Sequence, residues 1–193
     1  MLLRRRLAAQ HGFQTHRFSY PTVRGAMSGA VAQLTRFVER IDADRVHFIG
    51  HSLGGIVLCR YFQLANPARP GRVVLLGSPL LGSDSARAVA RYPWLRRVIG
   101  PLVHAELVDC GEPRTWQCGR ELGLIAGTRP MGLGRLFARM REDSDGTVAV
   151  RETKLPGHTA HLALPVSHMG MLASARVARQ VGGFLVDGRF LPD

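Results

Sequence analysis

A chain of 193 residues with 46% hydrophobic residues can bury a substantial core, and its length leads us to expect one domain over residues 1–193. The net charge of +12 brings nucleic acid or an anionic membrane to mind as partners, but the charge is spread thinly over arginines. Lys154 is the only lysine, no basic block exceeds Arg4-Arg5-Arg6, and no aromatic platform or recognition helix accompanies the charge, so no nucleic-acid partner is expected.

Met1 to Gln10 sets Leu2, Leu3 and Leu7 against Arg4, Arg5 and Arg6, the pattern of an amphipathic helix that stops at Gly12. Phe13 to Tyr20 alternates loosely up to Pro21 and is predicted as a strand. Met27 to Ile41 carries Val31, Leu34, Phe37, Val38 and Ile41 at helical spacing. Arg45 to Ile49 is the next strand. It runs straight into Gly50-His51-Ser52-Leu53-Gly54-Gly55, and Leu53 to Ala65 follows as a helix that ends at Asn66-Pro67. Arg72 to Leu76 is a continuous apolar run of the kind buried on both faces of a parallel sheet.

From Gly77 to Gly119 the rhythm breaks, with prolines at 79, 93, 101 and 113 and apolar Trp94, Leu95, Val98, Ile99, Leu102 and Val103. We read an insertion at about 84–118. Glu121 to Ala126 and Ala160 to Val166 resume as strands, and Met169 to Val186 closes as a helix. Short strands alternating with helices predict an α/β fold with a doubly wound, mostly parallel sheet.

The turn at residues 50–55 carries the chemistry. A serine on a sharp strand-to-helix turn points its hydroxyl outward, and glycine two residues to either side lets the two backbones pass closely. A serine hydroxyl is a poor nucleophile by itself, so a base and a group that orients the base should follow. His168 lies just past the strand Ala160 to Val166, where an imidazole can reach back over the sheet; His158 precedes that strand and His161 opens it, at the wrong end, and both read as structural or surface residues. The acid is expected between the strand Glu121 to Ala126 and His168, among Glu142, Asp143, Asp145 and Glu152. Asp145 stands before the tight turn Gly146-Thr147-Val148, and Asp143 is the alternative.

These residues resemble the lipase and esterase branch of the α/β-hydrolase family. Gly-His-Ser-Leu-Gly-Gly at 50–55 is similar to its nucleophile turn, Gly77-Ser78-Pro79-Leu80-Leu81-Gly82-Ser83 to the loop after the next strand, and Asp145-Gly146-Thr147-Val148 to its acid loop. The resemblance implies Ser52 as nucleophile, Asp145 as orienting acid, His168 as base and the N–H of Leu53 as one oxyanion donor. It implies hydrolysis of small-molecule esters or lipids, with no cofactor and no metal. The insertion falls where relatives carry a lid.

The resemblance also implies a strand before the first helix, ending in His-Gly, whose loop would supply a second oxyanion donor. Met1 opens directly in that helix, so the expectation is an N-terminally truncated fold whose natural polypeptide starts upstream. The matching alternative function is a hydrolase-like scaffold with impaired or no turnover. Cys59 is expected as a buried apolar residue, and Cys110 and Cys118 as free thiols that could bridge in an exported protein. No apolar run approaches the ~20 residues of a membrane span. Met1 to Phe13 lacks the apolar core of a secretory leader; the cytoplasm is the expected compartment, and a start upstream of Met1 leaves that open.

Overall fold

The computed structural model describes residues 2–21, 26–65, 67–84, 86–87, 104–108, 114–131 and 143–192. Most of the predicted insertion lies outside these residues, including Trp94, Leu95, Val98, Ile99, Leu102 and Val103. So do Glu142, Cys110 and the helix-stop residue Asn66.

Four strands, β1 (Phe48–His51), β2 (Val73–Leu76), β3 (Leu122–Gly127) and β4 (Ala160–Leu164), form one parallel sheet in the order β1-β2-β3-β4. Phe48 pairs with Val73, Val73 with Leu122, and Gly123 with Ala160. Side chains alternate across a strand, so each strand feeds two cores. Phe48, Val73, Leu75, Leu122 and Leu124 face the helices α2 (Met27–Glu39) and α3 (Leu53–Leu64). Val74, Leu76, Ile125 and Leu164 face α1 (Leu2–His11) and α4 (Ala175–Asp187). Apolar runs such as Val73–Leu76 exist because both sides of the strand are covered.

Helical spacing in α2 presents Ala30, Val31, Leu34 and Val38 to the core. α3 lies between α2 and the sheet, which is why seven of its twelve residues are buried. α4 starts where Ser174 accepts a hydrogen bond from the Val177 N–H (3.2 Å), an N-cap.

Two expectations change. The predicted strand Phe13 to Tyr20 is not a strand: it pairs with nothing in the sheet, and its aromatic residues pack individually instead. Phe13 lies on His47 (5.6 Å between rings) and Phe18 on Phe37 (5.4 Å). Between this segment and β1 is a cavity of about 750 Å³, lined by Phe13, Phe18, Leu34, Phe37 and Phe48 and reaching Ser52. The N–H groups of Val46, Phe48 and Ser52 donate to the β2 side. In a parallel ladder the groups of His47, Ile49 and His51 therefore face the cavity, where no strand pairs with them among the described residues. The final helix also begins later than predicted. Residues 169–174 instead form a short turn, Gly170–Leu172, and Ser174 then starts α4.

Three of the arginines have structural roles. Arg69 donates to the carbonyls of Val38 and Ile41 (both 2.5 Å), closing the C-terminal end of α2. Arg72 reaches the carbonyls of Leu185 (3.0 Å) and Val186 (2.9 Å) in α4. Arg120 bonds the carbonyls of Pro67 (2.8 Å) and Gly71 (3.2 Å) and stacks over Phe62 at 5.0 Å. Cys59 and Cys118 are free thiols, and burial pushes the Cys59 thiol up to about 12. Among the described residues no helix is long and apolar enough to cross a membrane, and no His, Cys, Asp or Glu cluster could hold a metal ion.

Candidate active site

β1 delivers the chain to Ser52, whose N–H donates to the Leu76 carbonyl (2.9 Å) and so extends the β1–β2 ladder by one residue. The backbone then reverses into α3 at φ 54°, ψ −127°, and Ser52 is the only described residue other than glycine with a positive φ. That region is costly for a residue with a Cβ, by about 1–3 kcal/mol, and survives only where the surroundings enforce it. The enforcement is visible at Gly50: a Cβ there would sit 2.7 Å from the Gly55 Cα, so strand and helix touch main chain to main chain. As the first helical residue, Leu53 has no intrahelical partner for its N–H.

The acid loop is built on main-chain donors. Asp145 is fully buried, and its Oδ1 accepts from the N–H groups of Thr147 and Val148, both at 2.8 Å. Oδ2 faces His168 Nδ1 at 2.7 Å. An ionised carboxylate only accepts, so Oδ2 accepts a hydrogen bond from the imidazole, which places the ring proton on Nδ1. The His168 main-chain N–H also donates to the Asp145 carbonyl (3.0 Å), so the two residues are joined twice. Gly77, at φ 51°, makes room for the pair, since a Cβ there would lie 2.9 Å from Asp145 Oδ2 and 3.2 Å from His168 Nδ1.

Of the predicted acids within the described residues, Asp145 alone touches His168. Asp143 is exposed, and its carbonyl merely accepts from the Val150 N–H (2.9 Å). Glu152 is fully buried, accepts from the N–H groups of Asp84 (2.6 Å) and Ala149 (2.9 Å), and is raised above the usual carboxylate range by burial. It ties the acid loop to the start of the insertion. His161 bonds Thr153 Oγ1 (2.9 Å) and His158 Nδ1 the Leu155 carbonyl (2.6 Å), so both belong to the opposite end of β4.

Ser52 and His168 stand at the same C-terminal rim of the sheet. They are linked through His51, whose ring lies 4.7 Å from that of His168. No hydrogen bond joins Ser52 Oγ to His168 Nε2 in this structure; such bonds commonly tighten only when substrate binds. His51 is the residue that motif reading passed over, because the motif makes it a spacer between Gly50 and Ser52.

A family model described as alpha/beta hydrolase fold matches residues 11–99. No curated protein matches the sequence. Among solved structures, the mature lipase BlEst2 of Bacillus licheniformis is similar with TM-score 0.58 and 17% identity, over 83% of this chain and 70% of that one. Phospholipase PlaB from Legionella pneumophila matches with TM-score 0.65 and 14% identity over 93% of this chain, which spans only 51% of that chain. The meta-cleavage product hydrolase CumD from Pseudomonas fluorescens matches with TM-score 0.53 and 14% identity, over 92% of this chain and 76% of that one. The ordered parallel sheet, the family-model match over residues 11–99 and these similar structures show that the chain has the α/β-hydrolase fold.

Proposed function

We propose that the protein is a serine hydrolase that cleaves carboxylic esters with an apolar acyl portion. The observation that carries this reading is the bonded pair of Asp145 and His168 at the same rim of the sheet as Ser52, the one described non-glycine residue held at positive φ. With its Nδ1–H donating a hydrogen bond to Asp145, His168 has Nε2 bare and able to accept. Ser52 Oγ attacks the ester carbonyl as its proton passes to Nε2. The carbonyl oxygen becomes an oxyanion that the Leu53 N–H stabilises. Collapse expels the alcohol, which takes the proton from Nε2 and leaves the acyl group on Ser52. Water then attacks with the same base, releasing the acid and restoring the serine.

Asp145 keeps the imidazole in the productive tautomer and stabilises the imidazolium that forms. The cavity beside Ser52, about 750 Å³ and walled by Phe13, Phe18, Leu34 and Phe37, has the size and apolarity of a small-molecule site. Lipase and phospholipase neighbours of the same fold agree with a lipid-like ester. A fluorophosphonate probe is expected to label the protein at Ser52, and Ser52→Ala to abolish labelling; mass spectrometry that finds the adduct on another residue refutes the assignment.

A second reading, a hydrolase-like scaffold with no turnover, is favoured by one observation, the unbonded Ser52 Oγ. Hydrolysis of p-nitrophenyl butyrate by the protein, lost in Ser52→Ala, excludes it.

A further inference from the structure

His51 ends β1 one residue before Ser52, is half-buried, and has no task in the steps above. Its side chain leaves its own strand and meets a residue 117 positions later: Nε2 lies 3.0 Å from the main-chain carbonyl oxygen of His168. A carbonyl only accepts, so Nε2 carries the hydrogen and Nδ1 is bare. The two rings also pack, with centroids 4.7 Å apart and planes inclined by 42°.

His168 is therefore held at three points. Its N–H donates to the Asp145 carbonyl (3.0 Å), its Nδ1–H to Asp145 Oδ2 (2.7 Å), and its carbonyl accepts from His51. Among the described residues, only ring Nε2 of its polar atoms has no partner. The first two bonds attach the base to the acid loop. The third attaches it to the nucleophile turn, so the segment 165–170 cannot drift from Ser52 without breaking it.

We propose that His51 is a positioning residue: by donating to the His168 main-chain carbonyl and packing on its imidazole, it couples the base to the nucleophile turn and sets the Ser52–His168 distance. This rests on the hydrolase reading of the site. The ring is suited to the role because it stays neutral. Burial pushes His51 down to about 4 and His168 adds to the effect, while the bond to the carbonyl and the charge of Asp145 oppose it. A second cation packed on His168 would resist formation of the imidazolium that the reaction requires.

Two substitutions separate the bond from the ring. His51→Phe keeps an aromatic ring and removes the donor, and His51→Gln keeps an N–H donor at about the reach of Nε2. With p-nitrophenyl butyrate, His51→Phe is expected to lose about 10- to 100-fold in kcat, as misplacement of a catalytic group does, with KM changed by less than about twofold. His51→Gln is expected to recover most of that loss. Wild-type kcat in His51→Phe, or His51→Gln no better than His51→Phe, would overturn the proposal. A readout without turnover is the downfield Nδ1 proton of His168 in proton NMR: it should shift or broaden in His51→Phe and return in His51→Gln, and an unchanged signal in all three proteins counts against His51. If the wild type hydrolyses no ester, the hydrolase reading falls while this signal still decides whether His51 holds His168.

Discussion

Asp145→Asn is expected to lower kcat for ester hydrolysis by about 10⁴-fold while the protein stays folded. The size of the effect follows from which atoms can donate. Oδ1 of Asp145 accepts from the N–H groups of Thr147 and Val148, so the amide oxygen of an asparagine must stay there and its NH₂ must face His168. An NH₂ only donates, which compels His168 Nδ1 to become the acceptor and moves the ring proton to Nε2. The imidazole then presents a proton to Ser52 where the reaction needs a lone pair. Thermal melting should change little, because the two N–H groups of the acid loop remain satisfied, and the comparison of kcat with melting temperature separates chemistry from folding. A kcat within tenfold of the wild type would mean that Asp145 does not orient the base.

The second large effect is on stability. Gly50→Ala places a methyl group 2.7 Å from the Gly55 Cα, 2.8 Å from its nitrogen and 3.0 Å from the Gly54 carbonyl carbon. All three are main-chain atoms, so no side chain can rotate away. Either α3 lifts from β1 or the Ser52 turn opens. Overpacking of this kind costs about 1–3 kcal/mol and more where the backbone cannot yield, which corresponds to a fall in melting temperature of about 2–12 °C for a chain of this length. Fluorophosphonate labelling should slow along with it, since Ser52 sits between the two elements being forced apart. Gly54→Ala is the control: a Cβ there meets nothing within 4 Å, and helix propensity favours alanine. Equal melting temperatures for the two variants would show that the close approach is not a structural requirement.

The Ser52 segment was legible because its signals are local. Apolar residues up to Ile49, glycine on either side of Ser52 and a helical pattern beyond it fall within one stretch of chain, and β1 and α3 follow that reading to within a few residues. The run Val73–Leu76 declared itself through uninterrupted apolarity, which burial on both faces demands. Phe13 to Tyr20 misled because alternation says which side chains are buried and not whether a neighbouring strand exists to take the backbone bonds. Its aromatic residues are partly buried as the pattern suggests, yet no ladder forms. The turn Gly146-Thr147-Val148 pointed to Asp145 as the acid but left Asp143 open, since both lie in one irregular stretch of chain. Only the fold reveals that Asp143 is exposed and that Glu152 turns to the Asp84 N–H. His51 was illegible for the same reason: its partner is a main-chain carbonyl, which every residue possesses.

The backbone at Ser52 carries one more implication. Glycine occupies φ 54°, ψ −127° without the steric penalty that a Cβ incurs, so Ser52→Gly should yield a protein that melts higher and does no chemistry. Stability and catalysis therefore pull this position in opposite directions. A laboratory selection for heat resistance alone, with activity left unscreened, would be drawn to discard the hydroxyl on which the proposed reaction turns.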